Sequence, residues 1–207
     1  MRIVSFLGKK GGVGKTTNAH AAAHGLSMAG IPAAYVLTDK RELLSDEKRV
    51  YTIIDGRTVP QLERAIASAR QRDSNGVFVI DGGGNRGVVD ELIASVSNVV
   101  IFPFSADDDS VFVVNEEMGQ FADAWAMPSN WPTNSKAQTV DAGYIEKLEA
   151  NYPGRMLPIM PATHAIRDFL LTGFNGSVLP PAQRYCRALA RQIADLLGTE
   201  RAGEKAA

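Results

Sequence analysis

The residues of this chain best suited to chemistry form a glycine-rich segment near the amino terminus. Residues 8–17 read Gly-Lys-Lys-Gly-Gly-Val-Gly-Lys-Thr-Thr, and they separate an apolar run, residues 3–7, from a helix-favouring run. Glycines allow the backbone to turn its N–H groups inward around an anion. A helix that begins near Lys15 adds its positive N-terminal end. The segment therefore predicts a phosphate-binding loop between a strand and a helix.

Two side chains at the end of this loop carry the groups that phosphoryl transfer needs. The lysine of a P-loop reaches the terminal phosphates and the next hydroxyl binds Mg²⁺, which gives these roles to Lys15 and Thr16. The strict pattern GxxxxGK[ST] requires glycine where this chain has Lys9. A further lysine, Lys10, stands directly before the glycine pair, where an ordinary mononucleotide cradle has no use for it.

Residues 10–16, Lys-Gly-Gly-Val-Gly-Lys-Thr, resemble the deviant Walker A box of the ParA/MinD family. The resemblance implies a P-loop ATPase that binds ATP and Mg²⁺, in which Lys10 crosses a dimer interface to touch the phosphates held by the partner subunit. The structural alternative is a glycine-rich turn that carries a surface lysine pair. The expected nucleotide-binding residues are Lys10, Gly11, Gly12, Val13, Gly14, Lys15, Thr16 and Thr17.

A second candidate lies in residues 77–81, Val-Phe-Val-Ile-Asp, which have the form of a Walker B strand. The apolar residues deliver one carboxylate, Asp81, at the end of the strand. A carboxylate there can hold Mg²⁺ through a water, opposite Thr16, although a strand that ends in aspartate is also a common structural feature. The glycine-rich residues 82–87 are interpreted as a switch that senses hydrolysis, the alternative being a tight connection to the next helix.

Asp39 is the third candidate, in the run Tyr-Val-Leu-Thr-Asp at residues 35–39. Family members show Asp-x-Asp-Pro here, whereas this chain has Leu37 at the first aspartate and Lys40 at the proline. The resemblance implies that Asp39 orients the attacking water and assists Mg²⁺. The loss at Leu37 leaves open a non-hydrolysing adaptor. The expected catalytic residues are thus Lys10, Lys15 and Asp39, and the expected metal-binding residues are Thr16, Asp39 and Asp81.

Composition limits the class of protein. A chain of 207 residues, 45% apolar with a net charge of −1, fits one P-loop domain, assigned to residues 1–198, with a flexible tail at residues 199–207. This charge does not suggest a protein that coats nucleic acid, so any contact with DNA must come from a local basic face. The single cysteine, Cys186, excludes internal disulfides and a CxxC site. Apolar runs are too short for a membrane span, so we expect a cytoplasmic protein. MinD-type relatives end in an amphipathic membrane helix, whereas residues 198–207 of this chain have no bulky apolar face, so we expect no docking on membranes.

Strand-like and helix-like runs alternate along the chain, which predicts an α/β fold with a doubly wound, mostly parallel sheet and helices on both faces. In such a sheet, ligand groups lie at the carboxyl ends of the strands. The predicted strands are 2–7, 33–37, 50–54, 77–80, 98–103 and 155–159. The predicted helices are 15–28, 59–72, 88–95, 110–126, 139–151, 165–171 and 181–197, with an irregular segment at 127–135.

Several other residues receive weaker interpretations. The aspartates at 107–109 are expected to cap a helix rather than to bind metal. Packing roles are expected for the histidines, His20, His24 and His164, because they lack companions at metal-ligand spacing. The resemblance implies that Asn130 or Asn134 contacts the adenine base and that a loop beginning at Pro161 closes over it.

The last predicted helix carries a basic stripe, which comprises Arg184, Arg187 and Arg191. These arginines either contact DNA phosphates or are simply solvated on an amphipathic helix. The resemblance favours the first interpretation, since ParA-type ATP dimers bind DNA non-specifically through C-terminal basic residues. The protein is then expected on the nucleoid when ATP is bound.

These features together predict an ATP-dependent dimerisation switch that hydrolyses ATP slowly and drives DNA partition or cargo positioning. Its expected partners are a second copy of the chain, non-specific DNA, and a ParB-like or other adaptor protein. Two alternatives remain beside the adaptor that does not hydrolyse ATP. One is an accessory ATPase of conjugative DNA transfer, and the other is a small-molecule ligase of the dethiobiotin-synthetase-like type.

Overall fold

The computed structural model describes residues 1–40, 42, 45, 49–71, 75–84, 87–166, 169 and 179–198. Its centre is a six-stranded sheet in the order β3-β2-β4-β1-β5-β6. Every pairing between neighbouring strands is parallel. The strands are β1 Arg2–Phe6, β2 Ala33–Leu37, β3 Thr52–Asp55, β4 Val77–Asp81, β5 Val99–Phe104 and β6 Ala124–Pro128.

Helices cover both faces of this sheet, which confirms the predicted doubly wound α/β class. They are α1 Lys15–Met28, α2 Val59–Gln71, α3 Val88–Val96, α4 Asp108–Gln120, α5 Ser135–Asn151 and α6 Pro180–Leu197. One core cluster packs α1 and α6 against one face of the sheet. A second cluster packs the four helices α2, α3, α4 and α5 against the opposite face. Strands that are buried on both faces are expected to be apolar throughout. β2 and β4 follow this rule, apart from Asp81 at the end of β4.

The register of the central strands determines where the candidate residues lie. β4 pairs with both β1 and β2, so that Phe6 and Leu37 each stand opposite Asp81. The carboxyl ends of these three strands therefore meet at one edge of the sheet. The loop after β1, Asp39 after β2, and Asp81 of β4 all lie at that edge.

Two predicted elements were wrong. The helix predicted at 110–126 ends at Gln120, and residues 124–128 instead form β6 beside β5. A lone glycine, Gly119, precedes the sequence Ala-Trp-Ala-Met, and a single glycine inside a helical pattern is tolerated, so it did not mark the end of the helix. The strand predicted at 155–159 is reduced to an isolated bridge between Ala126 and Met156, because Pro158 has no N–H to continue a ladder.

Other boundaries moved by a few residues. The strand predicted at 50–54 spans Thr52–Asp55, and the helix predicted at 139–151 begins at Ser135. The helix predicted at 165–171 falls mostly outside the described residues, as does the predicted tail at 199–207. None of the described helices is long and apolar enough to cross a membrane.

The helix that follows the glycine-rich loop is fixed by unusually close packing. α1 lies between the sheet and α6, and residues 18–26 are buried without interruption. At Gly25 the two helices approach so closely that an added Cβ would lie 2.1 Å from the carbonyl oxygen of Cys186. The position of α1, and with it the loop, therefore depends on the absence of a side chain at Gly25.

We expect Gly25→Ala to lower the free energy of unfolding by about 2 kcal/mol, because overpacking outweighs the gain in helix propensity. Gly143→Ala is the matched control, since an added Cβ in the middle of α5 meets nothing within 4 Å. That variant should be about 0.5–1 kcal/mol more stable than the wild type. Urea denaturation measures both, and a Gly25→Ala protein as stable as Gly143→Ala would contradict the packing argument.

Candidate nucleotide-binding site

The loop between β1 and α1 has the backbone conformation that an anion cradle requires. Gly8, Gly12 and Gly14 have φ angles of 137°, 79° and 96°, a region open mainly to glycine. Gly14 is the N-cap residue of α1 and has no side chain to accept from the first turn of the helix. The first turn of α1 is thus built to receive an acceptor from elsewhere, such as a phosphate.

Lys15 lies across the mouth of this loop. Its Nζ donates a hydrogen bond of 2.7 Å to the backbone oxygen of Lys10. A Cβ added to Gly84, just beyond the end of β4, would lie 3.7 Å from the same Nζ. The ammonium therefore stands between the loop and the segment after Asp81. Thr16 and Thr17 follow in the first turn of α1 and are half-buried, whereas Gly11 and Gly12 are exposed and Val13 is buried.

The ammonium group of Lys10 points towards the start of α4. Its Nζ lies 3.5 Å from Asp107 Oδ1 and 3.4 Å from Asp109 Oδ2. Asp107 also caps α4, because its side chain accepts from the N–H of Ser110 at 2.8 Å, which confirms the predicted cap. Burial acts to raise the pKa of Asp107, but hydrogen bonds from Ser110 and Ser105 and the charge of Lys10 together hold it below its usual value.

Asp81 is fixed more firmly than the other candidates. Its side chain is buried, and Oδ2 accepts a hydrogen bond of 2.7 Å from the hydroxyl of Tyr35. Its backbone oxygen accepts from Thr38 Oγ1 at 2.7 Å, and that hydroxyl accepts from the N–H of Gly83 at 3.2 Å. Thr38 thus ties the end of β2 to the residues that follow β4. Asp39 is half-buried, and its Oδ1 accepts from the N–H of Lys40 at 2.7 Å.

The donor set at this edge fits magnesium better than a transition metal. Within the described ranges, no group of three or more His, Cys, Asp or Glu side chains could hold a metal ion. Mg²⁺ is typically bound by one or two carboxylates together with substrate phosphates and water. Thr16 and Asp81, on adjoining elements next to a phosphate cradle, are residues of that kind.

Comparisons with known proteins bear on the fold. No protein-family model matches the sequence, and no curated protein matches it either. Among solved structures, the chain is similar to the cell division protein MinD of Aquifex aeolicus, with a TM-score of 0.69 and 12% identity over 98% of this chain and 99% of that one. It is similar to a variant of McdA from Cyanothece in complex with ATP, with a TM-score of 0.69 and 15% identity over 99% of each chain.

A third similar structure is the septum site-determining protein MinD of Pyrococcus horikoshii, complexed with Mg-ADP. Its TM-score is 0.66, with 15% identity over 95% of this chain and 97% of that one. The similarity extends over nearly the full length of each chain. The chain has the ParA/MinD fold.

Only some of the residues expected near the adenine base lie together beside the P-loop. A cavity of about 620 Å³ opens beside Gly12, Gly14 and Thr17. Asn130 and Pro161 line it. Asn134 does not, and it instead caps α5 by accepting from the N–H of Ala137 at 2.8 Å.

The three histidines differ in burial. His20 and His24 are buried in the core, which confirms their packing roles, and burial, aided by Arg49, lowers their pKa values to about 3 and about 4. The packing role expected for His164 was wrong, because this side chain is exposed and lines the cavity.

Sequence reasoning missed a polar cluster below the P-loop. Asn18 Nδ2 donates to the backbone oxygen of Gly14 at 2.9 Å and to Ser129 Oγ at 2.8 Å. Asn18 Oδ1 accepts from the hydroxyl of Tyr185 on α6 at 2.6 Å. Burial raises the pKa of Tyr185, which is therefore a neutral donor. Ser129 and Tyr185, the side-chain partners of Asn18, are more than 100 residues away in the chain, so no local pattern could show them.

Glu117 of α4 is the second residue that was missed. Its side chain is buried, and Oε1 accepts from the backbone N–H of Lys9 at 2.9 Å. Burial raises its pKa although the N–H of Lys9 and the charges of Lys9 and Lys15 oppose the shift. The sequence feature that could have indicated this burial is the position of Glu117 between Val114 and Met118 on the buried face of the helix. A buried carboxylate thus supports the P-loop from below.

The basic stripe is exposed along its whole length. Arg184, Arg187 and Arg191 lie on the outer side of α6, opposite the buried Leu189 and Ile193. Arg187 and Arg191 also flank a cleft of about 180 Å³ between α6 and the end of α1. The stripe is therefore available to a partner from solution.

We expect Glu117→Gln to gain stability relative to the wild type as the pH rises from about 4 to about 8. Because burial raises the pKa of Glu117, the folded protein binds this proton more tightly than the unfolded chain does, and the wild type loses stability as the carboxyl ionises. Glutamine keeps the acceptor for Lys9 without the charge.

Glu116→Gln is the matched control, because it removes the same charge from an exposed neighbouring position. Urea denaturation over that pH range measures all three proteins. A stability difference between Glu117→Gln and the wild type that stays constant with pH would contradict the buried-charge account.

Proposed function

We propose that this protein is an ATPase of the ParA/MinD type, which closes into a dimer around ATP and Mg²⁺ and opens after hydrolysis. The observation that carries the proposal is the meeting of the P-loop, Lys15 and Asp81 at adjoining strand ends, with the Lys10 ammonium at the start of α4. Residues 1–198 form the ATPase domain in this proposal. The similarity of the fold to MinD and McdA supports it.

The residues at the sheet edge divide the work of phosphoryl transfer. The N–H groups of residues 11–14 and the start of α1 bind the phosphates, and Lys15 neutralises charge on the terminal ones. Thr16 and Asp81 hold the metal, which supplies further neutralisation when bound. Asp39, two residues beyond the end of β2, orients the attacking water and assists Mg²⁺. Leu37 adds no carboxylate, so turnover is slow and a partner protein that completes the site controls it.

Lys10 is suited to act on a second subunit. Its contacts with Asp107 and Asp109 are longer than 3.3 Å and partly exposed to solvent, and such pairs contribute little stability. The ammonium can therefore leave them at low cost. A triphosphate in the facing subunit offers a denser negative charge in a site that excludes water, where ion pairs are stronger. A ligase on the same fold has no such use for Lys10.

We expect Lys15→Ala to abolish nucleotide binding, because the phosphates lose their main cation. Lys10→Ala should bind ATP normally but dimerise at least about 30-fold more weakly, since losing a buried charge pair across an interface costs about 2–5 kcal/mol. Lys9→Ala, which removes an exposed lysine from the same loop, is the control. Fluorescent-ATP titration and light scattering measure the two properties. Equal dimerisation of Lys10→Ala and Lys9→Ala would reject the role across the interface.

We further propose that the basic stripe binds DNA without sequence preference when two ATP-bound subunits bring two stripes together. The supporting observation is the exposure of Arg184, Arg187 and Arg191 on one side of α6. The same binding would serve plasmid or chromosome partition, cargo positioning, and accessory work in conjugative transfer. A ParB-like or other adaptor would then stimulate hydrolysis and release the DNA.

We expect Arg187→Glu combined with Arg191→Glu to weaken ATP-dependent DNA binding at least about tenfold, and to make the plot of log affinity against log salt shallower by about 1.8 per subunit. Arg64→Glu combined with Arg70→Glu on α2 is the control, because it changes the net charge equally at exposed positions. Gel shifts at several salt concentrations measure both. If the two double variants lose the same affinity, bulk charge rather than the stripe attracts DNA.

A further inference from the structure

The carboxylate of Asp81 has a buried hydrogen-bond donor from the neighbouring strand. The hydroxyl of Tyr35 on β2 lies 2.7 Å from Asp81 Oδ2, and the two residues are 2% and 1% exposed. In the register of β2 and β4, Leu37 stands opposite Asp81, and Tyr35 comes one pleat earlier on the same face. Leu37 offers neither charge nor a side-chain hydrogen bond. Among the side chains of β2, Tyr35 is the one that binds this carboxylate.

The ring of Tyr35 is itself held in place. The imidazole of His20 stacks on it, with ring centroids 3.7 Å apart and an angle of 17° between the planes. His20 Nδ1 lies 2.8 Å from the hydroxyl of Tyr51. That hydroxyl also accepts from Arg49 Nη1 at 2.7 Å, so Tyr51 links His20 to Arg49. Burial, aided by the charge of Arg49, lowers the pKa of His20 to about 3, so the imidazole that stacks on Tyr35 is neutral.

A phenol held in this way orients the carboxylate through Oδ2. A neutral tyrosine has one hydrogen to donate, and here it goes to Asp81. Metal ligands are generally oriented by hydrogen bonds of this kind, and removing such a partner typically weakens metal binding about 10–100-fold. We propose that Tyr35 is a positioning residue for the magnesium-binding carboxylate of Asp81, so that the affinity for Mg²⁺ depends on a hydroxyl inside the sheet. This inference rests on the proposed function.

The test uses Tyr35→Phe, which removes one oxygen atom and keeps the ring against His20. The Mg²⁺ concentration that gives half of the metal-dependent gain in affinity for fluorescent ATP is measured by titration. We expect this concentration to rise about tenfold, while the ATP affinity in EDTA stays within about twofold of the wild type. Tyr51→Phe is the matched control, since it removes a hydroxyl from the same cluster that does not contact Asp81.

A second comparison separates positioning from general loss of structure. If Tyr35 acts through Asp81, then adding Tyr35→Phe to Asp81→Asn changes the Mg²⁺ requirement no further. An unchanged Mg²⁺ requirement in Tyr35→Phe alone, or the same rise in Tyr51→Phe, would overturn the inference and leave the proposed function intact. A wild-type protein whose nucleotide affinity does not respond to Mg²⁺ would instead overturn the proposed function.

The wild-type protein provides a further measurement if Tyr35→Phe does not fold. Adding Mg²⁺ to the ADP-bound protein with labelled tyrosine should shift the NMR signal of the Tyr35 ring, because its hydrogen-bond acceptor then binds metal. The ring of Tyr51, which does not contact Asp81, should shift less. An unmoved Tyr35 signal in the presence of bound Mg²⁺ would overturn the inference.

Discussion

The parallel pairing of β1, β4 and β2 is the constraint on which the rest of the site depends. Because Phe6 and Leu37 both stand opposite Asp81, the P-loop, the metal-binding carboxylate and Asp39 start from one edge of the sheet. A shift of one residue in either pairing would turn Asp81 to the other face. The tight contact of α1 with α6 at Gly25 then fixes the helix whose N-terminus completes the cradle.

Buried polar groups support the phosphate cradle and hold its backbone in place. Some of these groups are carboxylates, whose negative charge must be offset. Glu117 holds the backbone of Lys9 from below, and Asn18 holds that of Gly14 from the side of α6. Tyr35 holds Asp81. Buried carboxylates near a polyanion site are costly unless donors and cations offset them. The charges of Lys9 and Lys15 supply part of that offset for Glu117.

Local sequence patterns predicted the elements that lead to the candidate site. They failed for elements and side chains whose partners lie far away in the sequence. The P-loop, α1 and β2 have the predicted limits because their apolar runs and glycines are local signals. β6 was missed because Ala124 and its neighbours become a strand only through pairing with β5. Tyr35 was missed for a similar reason, since it resembles an ordinary strand residue until its partner Asp81 on β4 is known. Glu117 did carry a local signal, its position between Val114 and Met118, but its partner Lys9 lies in another part of the chain.

The central claim is that two subunits share the charge of one triphosphate. The most direct measurement labels Lys10→Ala and Lys15→Ala subunits with different fluorophores and follows energy transfer when ATP is added. In the mixed dimer, the intact cradle of the Lys10→Ala subunit meets the intact Lys10 of the other. The account predicts ATP-dependent transfer in the mixture that exceeds that of either variant with itself. A mixture that associates no better than the separate variants would contradict it.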